Sequence, residues 1–329
     1  MSDVAELAGF SHQTVSRVLS GHPNVRPHTR ARVMAAIQEL GYRPNLAARA
    51  LATGRTQTLG VVCLNSTLYG PASMLYAIEE AAQAAGYWVT TASIRAFDRT
   101  SLRKAIARLV DQKVDGIVVI APLASAREVL DELPGDIPVV TVEGDSERSE
   151  ALVRVDQVLG ARLATEHLLA AGHKTVWHVA GPPEWLDAQG RVAGWRAALE
   201  AVGAEVVAPL TGDWSAESGY KAGQLLARIG ELSAVFVAND PMALGVLRAL
   251  HERGRRVPED VSVVGFDDIP ESAYYTPPLT TVRQNFDEVG LKSLQLLLDR
   301  IAGRVDGSRD VVVAPELVVR QSTAAPRSD

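Results

Sequence analysis

Two different rhythms of apolar residues divide the chain. Up to about residue 42 the apolar positions recur at helical spacing in short stretches. A first helix is predicted near Asp3–Ala8, burying Val4, Leu7 and Ala8, and ending in a tight turn at Gly9–Ser11. Ser11 is a good cap for a second helix running to about Leu19, whose Val15, Val18 and Leu19 fall at i, i+3 and i+4 and face inward. A third, from about Pro27 to Leu40, carries Val33, Ile37 and Leu40, with Gly41 as its C′ residue. From Thr58 onward the rhythm changes. Near-continuous apolar runs (LGVVCL, YWVTTAS, DGIVVIA, IPVVTVE, TVWHVAG, EVVAPL, SAVFVAN, VSVVGFDD) alternate with amphipathic helical stretches. Such runs read as strands of parallel sheets covered on both faces, and their number calls for two doubly wound subdomains. Between the two rhythms lies NLAARALATG, Asn45–Gly54, which has a helix cap, a helix interior and a glycine stop. It offers about two turns, and isolated helices below about 12 residues are marginal in water.

Composition narrows the class. At 329 residues, 47% hydrophobic and 22% charged, the chain can bury sizeable cores in two domains and a small extra module. No apolar run reaches the length of a membrane span, and the start MSDVAELAGF, with Asp and Glu in it, does not read as a secretory signal. A single cysteine, Cys63, fits a reducing cytoplasm; within LGVVCLN it reads as a buried, inert thiol. The net charge of −6 hides an asymmetry: residues 1–56 hold seven Arg, no Lys and three acids, a local +4, leaving −10 to the rest. A small basic head on an acidic body points to a polyanion-binding head.

The second helix carries the candidate chemistry of that head. With Val15, Val18 and Leu19 inward, His12, Gln13, Ser16 and Arg17 lie on the opposite face, near its N-terminal half. Gln can bond adenine bidentately, Arg guanine or a phosphate, and Ser either. On spacing alone the same face could be an ordinary solvated one. In the body no phosphate-cradling glycine loop, zinc-binding HExxH or nucleophile elbow occurs, so no catalytic residue, cofactor or metal site is expected and the chain is not expected to be an enzyme.

The stretch DVAELAGFSHQTVSRVLSGHPNVRPHTRARVMAAIQELGYRPNLAARALATGRTQTLGVV resembles the head of the LacI/GalR family of bacterial transcription regulators. The family's D-V-A-x-x-A-G-V-S-x-x-T-V-S-R-V-L-x-G and L-G-Y-x-P-N-x-x-A-R-x-L patterns match nearly throughout, and the likeness extends to about residue 320. It implies an α/β fold in which an all-α helix-turn-helix head precedes two periplasmic-binding-protein-like subdomains. The expected boundaries are 1–44 for the head and 45–56 for a hinge helix and linker. Residues 57–329 form the effector-binding part, with an N-subdomain of about 57–156 and 286–313 and a C-subdomain of about 157–285 and 314–329. By position, His12, Gln13, Thr14, Ser16, Arg17 and Asn24 would meet DNA, and Leu51 would wedge into the operator's minor groove. Phe10 stands where the family has Val. The Thr that commonly caps the first helix is absent, and Ser2 is expected in its place.

In the body the resemblance is strongest at RVAGW, GDWSAESGY, VANDPMALG, VSVVGFDD and PPLTTVRQNF, and it points to the family's sugar-sensing branch. It places Arg191, Trp214, Asn239, Asp267 and Gln284 on one side of an effector cleft, Leu68, Tyr69 and Pro71 on the other, and Glu143 and Val155 near the crossover. Arg, Asp and Asn can pair vicinal hydroxyls, and a Trp can stack on a pyranose. Competing roles remain open at this stage: loop capping for Asn239 and Asp267, a surface ion pair for Arg191, a core position for Trp214. Asp156 reads as a hinge residue, and His167, His173 and His178 as structural. The expectation is a cytoplasmic repressor of a carbohydrate-utilisation operon, released from a pseudo-palindromic operator by a mono- or disaccharide. The alternative is a corepressor-dependent repressor or an activator sensing a non-sugar metabolite such as a purine. The short polar ending LVVRQSTAAPRSD, without heptads, favours a homodimer over a tetramer.

Overall fold

A computed structural model describes residues 1–19, 24–42, 54–64, 67–96, 98–123, 137–144, 151–305 and 307–327. The chain divides into two compact units, Met1–Gln57 and Thr58–Asp329.

The first unit is three helices, α1 (Ser2–Ala8), α2 (His12–Leu19) and α3 (Pro27–Glu39). Val4, Ala5, Ala8, Val15, Val18, Val33 and Ala36 form its core. Two expected core residues are displaced: Leu7 is 44% and Leu40 46% exposed, and the smaller Ala5 and Ala36 take the inward positions. Three short helices crossing closely leave room for alanines at their crossings, so the larger leucines turn outward. Gly9 closes α1 with φ 69°, and the Gly9 and Phe10 N–H groups donate to Glu6 and Ala5 carbonyls. Gly41 does the same for α3, with Tyr42 N–H reaching Ile37 O at 3.0 Å. Both are Schellman endings, which need a left-handed residue. Ser2 lies inside α1 and makes no cap; the position before it is Met1, without a side-chain bond. Phe10 fills its place by meeting His28 edge-on at 6.3 Å and lying under the Arg32 guanidinium at 5.2 Å. Most of Asn45–Gly54 falls outside the described residues; Gly54 has φ 69°, as a helix stop would.

The second unit holds two six-stranded sheets. In chain order the strands are β1 (Thr58–Leu64), β2 (Trp88–Ile94), β3 (Gly116–Ile120), β4 (Val139–Val142), β5 (Ala151–Val155), β6 (Trp177–Ala180), β7 (Leu210–Thr211), β8 (Ala234–Val237), β9 (Ser262–Asp267), β10 (Thr280–Arg283), β11 (Arg309–Val313) and β12 (Glu316–Val318). The described helices are α4 (Tyr69–Ala84), α5 (Arg99–Asp111), α6 (Gln157–Ala170), α7 (Leu186–Ala201), α8 (Ala216–Leu226), α9 (Asp240–Glu252) and α10 (Phe286–Ile301). Sheet order is β11-β5-β4-β3-β1-β2 in the first lobe and β12-β10-β9-β8-β6-β7 in the second. Each strand alternates between two apolar layers: Val118 and Ile120 face one, Ile117 and Val119 the other. In the second lobe Val235 and Val237 are split in the same way from Ala234 and Phe236. Every described pairing is parallel except β10–β12, where the chain returns antiparallel along the edge. Of EVVAPL only Leu210 enters a strand; Pro209, with no N–H to give, precedes a two-residue edge pairing with β6.

The chain crosses between lobes three times, after β5, before α10 and between β11 and β12. The histidines serve the second lobe's interior. His173 joins Ser233, Ser262 and the Ala324 carbonyl, His167 reaches Thr323 Oγ1 at 2.9 Å, and His178 is stacked between Trp195 and Phe236. Burial lowers the His178 pKa to about 4, so it stays neutral. Cys63 is buried beside Ser93, and burial raises its pKa. Among the described residues no helix is long and apolar enough to cross a membrane. Trp195, fully buried with its indole N–H on Val176 O at 2.8 Å, anchors the layer between α6 and α7. Trp195→Ala is expected to destabilise this unit by about 3–5 kcal/mol, read from urea unfolding followed by circular dichroism.

Candidate functional site

On the head, α2 presents one polar face. His12, Gln13, Ser16 and Arg17 are exposed, while Val15 and Val18 hold the helix down from beneath. Ser11 caps the helix: its Oγ accepts from Thr14 N–H at 3.3 Å and lies 3.0 Å from Thr14 Oγ1, so Thr14 is half-buried and tied to the cap. Asn24 is exposed in the turn before α3. Leu51 lies outside the described residues. The head thus offers hydrogen-bonding side chains at the start of a helix seated on a fixed core, the arrangement that enters a major groove.

In the body the carboxyl ends of both sheets face one cleft. Each sheet reverses direction of winding beside its first strand, between β1 and β3 and between β6 and β8, and ligands of such sheets sit at that point. Leu68, Tyr69, Gly70 and Pro71 form one wall, and Trp185, Asp187, Arg191, Trp214, Asn239, Asp267 and Gln284 the other. Eight residues singled out in the sequence are therefore gathered here: Leu68, Tyr69, Pro71, Arg191, Trp214, Asn239, Asp267 and Gln284. Glu143 is not a wall residue. It is buried, with φ 56°, and its Oε1 accepts from Val155 N–H at 2.8 Å. Trp185 and Asp187 were missed. Asp187 stands four residues before Arg191, on the same face of α7, and that spacing was the available signal.

Local structure fixes each side chain. Asn239 caps α9, accepting from Met242 N–H at 2.9 Å, and its Nδ2 holds the Trp214 carbonyl at 3.1 Å. The capping role and the cleft position therefore coexist. Trp214 adopts φ 72° and lies on Gly181, where any Cβ would overlap the indole. It meets Trp185 edge-to-face at 5.7 Å, and the Arg191 guanidinium sits between Trp214 and Phe266. Asp156 caps α6 through Leu159 N–H at 2.9 Å and takes no place in the cleft wall.

Four buried side chains close a ring. Arg191 Nε donates to Gln157 Oε1 at 2.9 Å, Gln157 Nε2 to Gln284 Oε1 at 2.9 Å, and Gln284 Nε2 to Asp267 Oδ1 at 2.8 Å. Asp267 Oδ1 faces Arg191 Nη2 at 3.6 Å, completing it, and Arg191 Nη1 donates to the Ala238 carbonyl. Despite that cation, burial raises the Asp267 pKa to about 6. The Glu143–Asp187 pair is raised as well, chiefly by burial, and for Glu143 also by the charge of Asp187. Across the cleft the backbone joins the lobes: Leu186 N–H donates to Pro122 O at 2.8 Å, and Leu123 bridges Trp185. The space left is about 30 Å³, roughly one water's share of liquid volume. An adjoining cavity of about 700 Å³ lies beyond Tyr69, bordered by Asp268, Arg283 and Glu316.

Comparison with known proteins decides the family. A profile described as bacterial regulatory proteins, lacI family, matches residues 1–45, and a periplasmic binding protein-like domain matches residues 165–323. The lactose operon repressor of Escherichia coli (strain K12) is 36% identical over 99% of this chain and 91% of its own length. The chain belongs to the lacI family. It is a LacI-family transcriptional repressor and not an enzyme. A crystal structure of the lac repressor dimer bound to operator and the anti-inducer ONPF superposes with a TM-score of 0.86, at 35% identity over 98% of both chains. The HTH-type transcriptional regulator CelR of Thermobifida fusca is 37% identical over 97% of this chain and 96% of its own. A structure of a transcriptional regulator CelR–cellobiose complex has a TM-score of 0.73, at 34% identity over 97% of this chain and 98% of that one.

For this LacI-family cleft the raised pKa of Asp267 has a measurable consequence. Between pH 4 and 6 the folded protein keeps a proton on Asp267 that the unfolded chain, titrating near 3.8, has released. Stability contributed by this group therefore falls as pH rises through that window, by up to about 3 kcal/mol. Asp267→Asn should flatten the slope of unfolding free energy against pH between 4 and 6, measured by denaturant titration; an unchanged slope would refute the assignment.

Proposed function

We propose that this LacI-family protein is a cytoplasmic homodimer that represses a carbohydrate-utilisation operon and leaves a pseudo-palindromic operator when a mono- or disaccharide binds between the two lobes. The observation that carries the DNA half is the exposed His12, Gln13, Ser16 and Arg17 face on a helix held by Val15 and Val18. Gln13 and Arg17 are suited to base edges, Ser16 and Thr14 to bases or phosphates, and Asn24 to the flanking backbone. Two heads related by a twofold axis meet successive major grooves, which is why an operator with half-sites is expected. Leu51 is assigned the apolar wedge of the hinge segment, kinking the operator centre at a cost of roughly a few kcal/mol per step.

The saccharide reading rests on the cleft's chemistry. Arg191, Asp267, Gln284 and Asn239 supply planar donors and acceptors to hydroxyls, Trp214 and Trp185 an apolar face for sugar C–H groups, and Leu68, Tyr69 and Pro71 the opposite wall. Two relatives lean the same way: one is a lactose operon repressor, and a CelR regulator is solved in complex with cellobiose. The nearly closed cleft supplies the switch: a ligand that favours parted lobes shifts the population by its differential affinity for the two forms. The hinges, ordered as a pair on DNA, then separate.

Fluorescence anisotropy on DNA from upstream of the regulated genes, with and without a saccharide panel, tests this. A saccharide should weaken operator binding at least tenfold. If only a purine or a phosphorylated metabolite acts, the saccharide reading fails. Arg17→Ala should cost about 1–3 kcal/mol of specific binding, 10- to 100-fold, while saccharide affinity by calorimetry stays unchanged. Leu51→Ala should likewise weaken operator binding far more than saccharide binding.

A further inference from the structure

Between the lobes, room and recognition chemistry lie in different places. The cleft wall holds Arg191, Asn239, Asp267 and Trp214, yet the space in front of them is about 30 Å³. The adjoining cavity is about 700 Å³, within the roughly 300–1,000 Å³ usual for small-ligand sites. Tyr69, Asp267 and Gln284 border both spaces. The two are therefore neighbours across one side chain of the first lobe and one hydrogen-bonded pair of the second, Gln284 Nε2 donating to Asp267 Oδ1 at 2.8 Å. Tyr69 packs edge to face on Phe286, with ring centroids 6.0 Å apart.

The lining of the larger space suits a sugar ring and disfavours an anion. From the first lobe come Ser73 and Tyr76 on α4 and Asp287 in the first turn of α10. Tyr76 is 62% exposed, so it offers an aromatic face to the same space as the exposed carboxylate of Asp287. An aromatic face meets the C–H side of a pyranose, and a carboxylate accepts from its hydroxyls. From the second lobe come Asp268, Arg283 and Glu316. Arg283 is the cationic side chain among the described residues of the lining, and it is engaged. Its Nε donates to Asp268 Oδ2 at 2.6 Å and its Nη1 to Glu316 Oε1 at 2.8 Å. An anionic ligand would have to break these ion pairs and face Asp287 as well.

We propose that this cavity is the subsite for the second ring of a disaccharide effector. One pyranose is fixed in the cleft by Arg191, Asn239 and Asp267, the glycosidic link passes between Tyr69 and Gln284, and the other ring occupies the cavity against Tyr76 and Asp287. This rests on the saccharide reading and narrows it to a disaccharide. The second ring adds more than contacts. The cavity's walls come from both lobes, and Asn285 and Ala314, from the second and third crossovers, border it too. Filling it bears on the same equilibrium between lobe arrangements as filling the cleft.

Isothermal titration of the full-length protein tests this with disaccharides set against their component sugars: cellobiose and maltose against glucose, and lactose against galactose and glucose. At least one disaccharide should bind about ten times tighter than either component, or better, at one molecule per chain. Ser73→Trp, which fills the cavity from a half-buried position on α4, should bring that disaccharide down to the level of its components and leave the components' own affinities unchanged. Asp287→Ala, at an exposed position, should weaken the disaccharide by roughly 3- to 10-fold, the loss of one hydrogen bond, without affecting the single sugar. Circular dichroism checks that each variant is folded, and Asp287→Ala suffices where Ser73→Trp is not. Three results would overturn the second-ring subsite and leave the saccharide reading intact: a single sugar binding as tightly as every disaccharide that contains it, two single sugars binding per chain, or a disaccharide preference untouched by the substitutions. Failure of every sugar, with a purine bound instead, would overturn both.

Discussion

The second unit is organised around the closed ring of Arg191, Gln157, Gln284 and Asp267. Each member is buried, so each donor and acceptor must be satisfied inside the protein or the site is costly to form. The ring meets that demand by drawing together four separate pieces of backbone. Gln157 opens α6 directly after the first crossover, and Gln284 precedes α10 at the second. Asp267 ends β9, and Arg191 lies in α7. The positions that bind and the positions where the lobes hinge are therefore one hydrogen-bonded unit. A ligand that takes one hydrogen bond from Asp267 or Gln284 changes what the crossovers can do.

The second lobe supplies the rigid part of this arrangement. Asn239 and Gly181 fix Trp214, one by a hydrogen bond to its carbonyl and the other by leaving no room for anything but the indole. Asp268, next to Asp267, accepts from Arg320 and Arg283, which pins the returning edge of the sheet. Among the described residues the first lobe contributes contacts that can be given up: one backbone hydrogen bond at Pro122 and one bridge at Leu123. A switch needs this division, because a conformational equilibrium responds to a ligand only where the two states differ in a few contacts.

The fold class, the head and most of the cleft wall were legible in the sequence because each depends on a local signal. Long apolar runs, the capped helix at Ser11 and the strand-end residues Asn239 and Asp267 all announce themselves within a few positions. What was not legible depends on partners far away in the chain. Leu7 and Leu40 read as core because they are large, yet the helix crossings admit only Ala5 and Ala36. Strands β5, β10, β11 and β12 carry polar or charged residues (Arg154; Thr280, Thr281 and Arg283; Arg309 and Asp310; Glu316) that break an apolar run, and they are defined by their neighbours in the sheet. Glu143 reads as a residue near the crossover, but that its carboxyl is taken up by the Val155 N–H at the end of β5 depends on a pairing that only the folded sheet brings about. Family likeness placed positions in the cleft, but the charge a position carries there had to be read from its three-dimensional neighbours.

On this reading the buried ring transmits effector binding to the crossovers. That transmission is tested most directly by comparing how far a bound saccharide raises the operator dissociation constant in the native protein and in Gln284→Leu, with saccharide occupancy fixed by calorimetry. The substitution, which opens the ring at its crossover member, should leave operator binding without saccharide within a few-fold and bring the saccharide effect close to one. An undiminished saccharide effect in a folded Gln284→Leu protein at equal occupancy would contradict it.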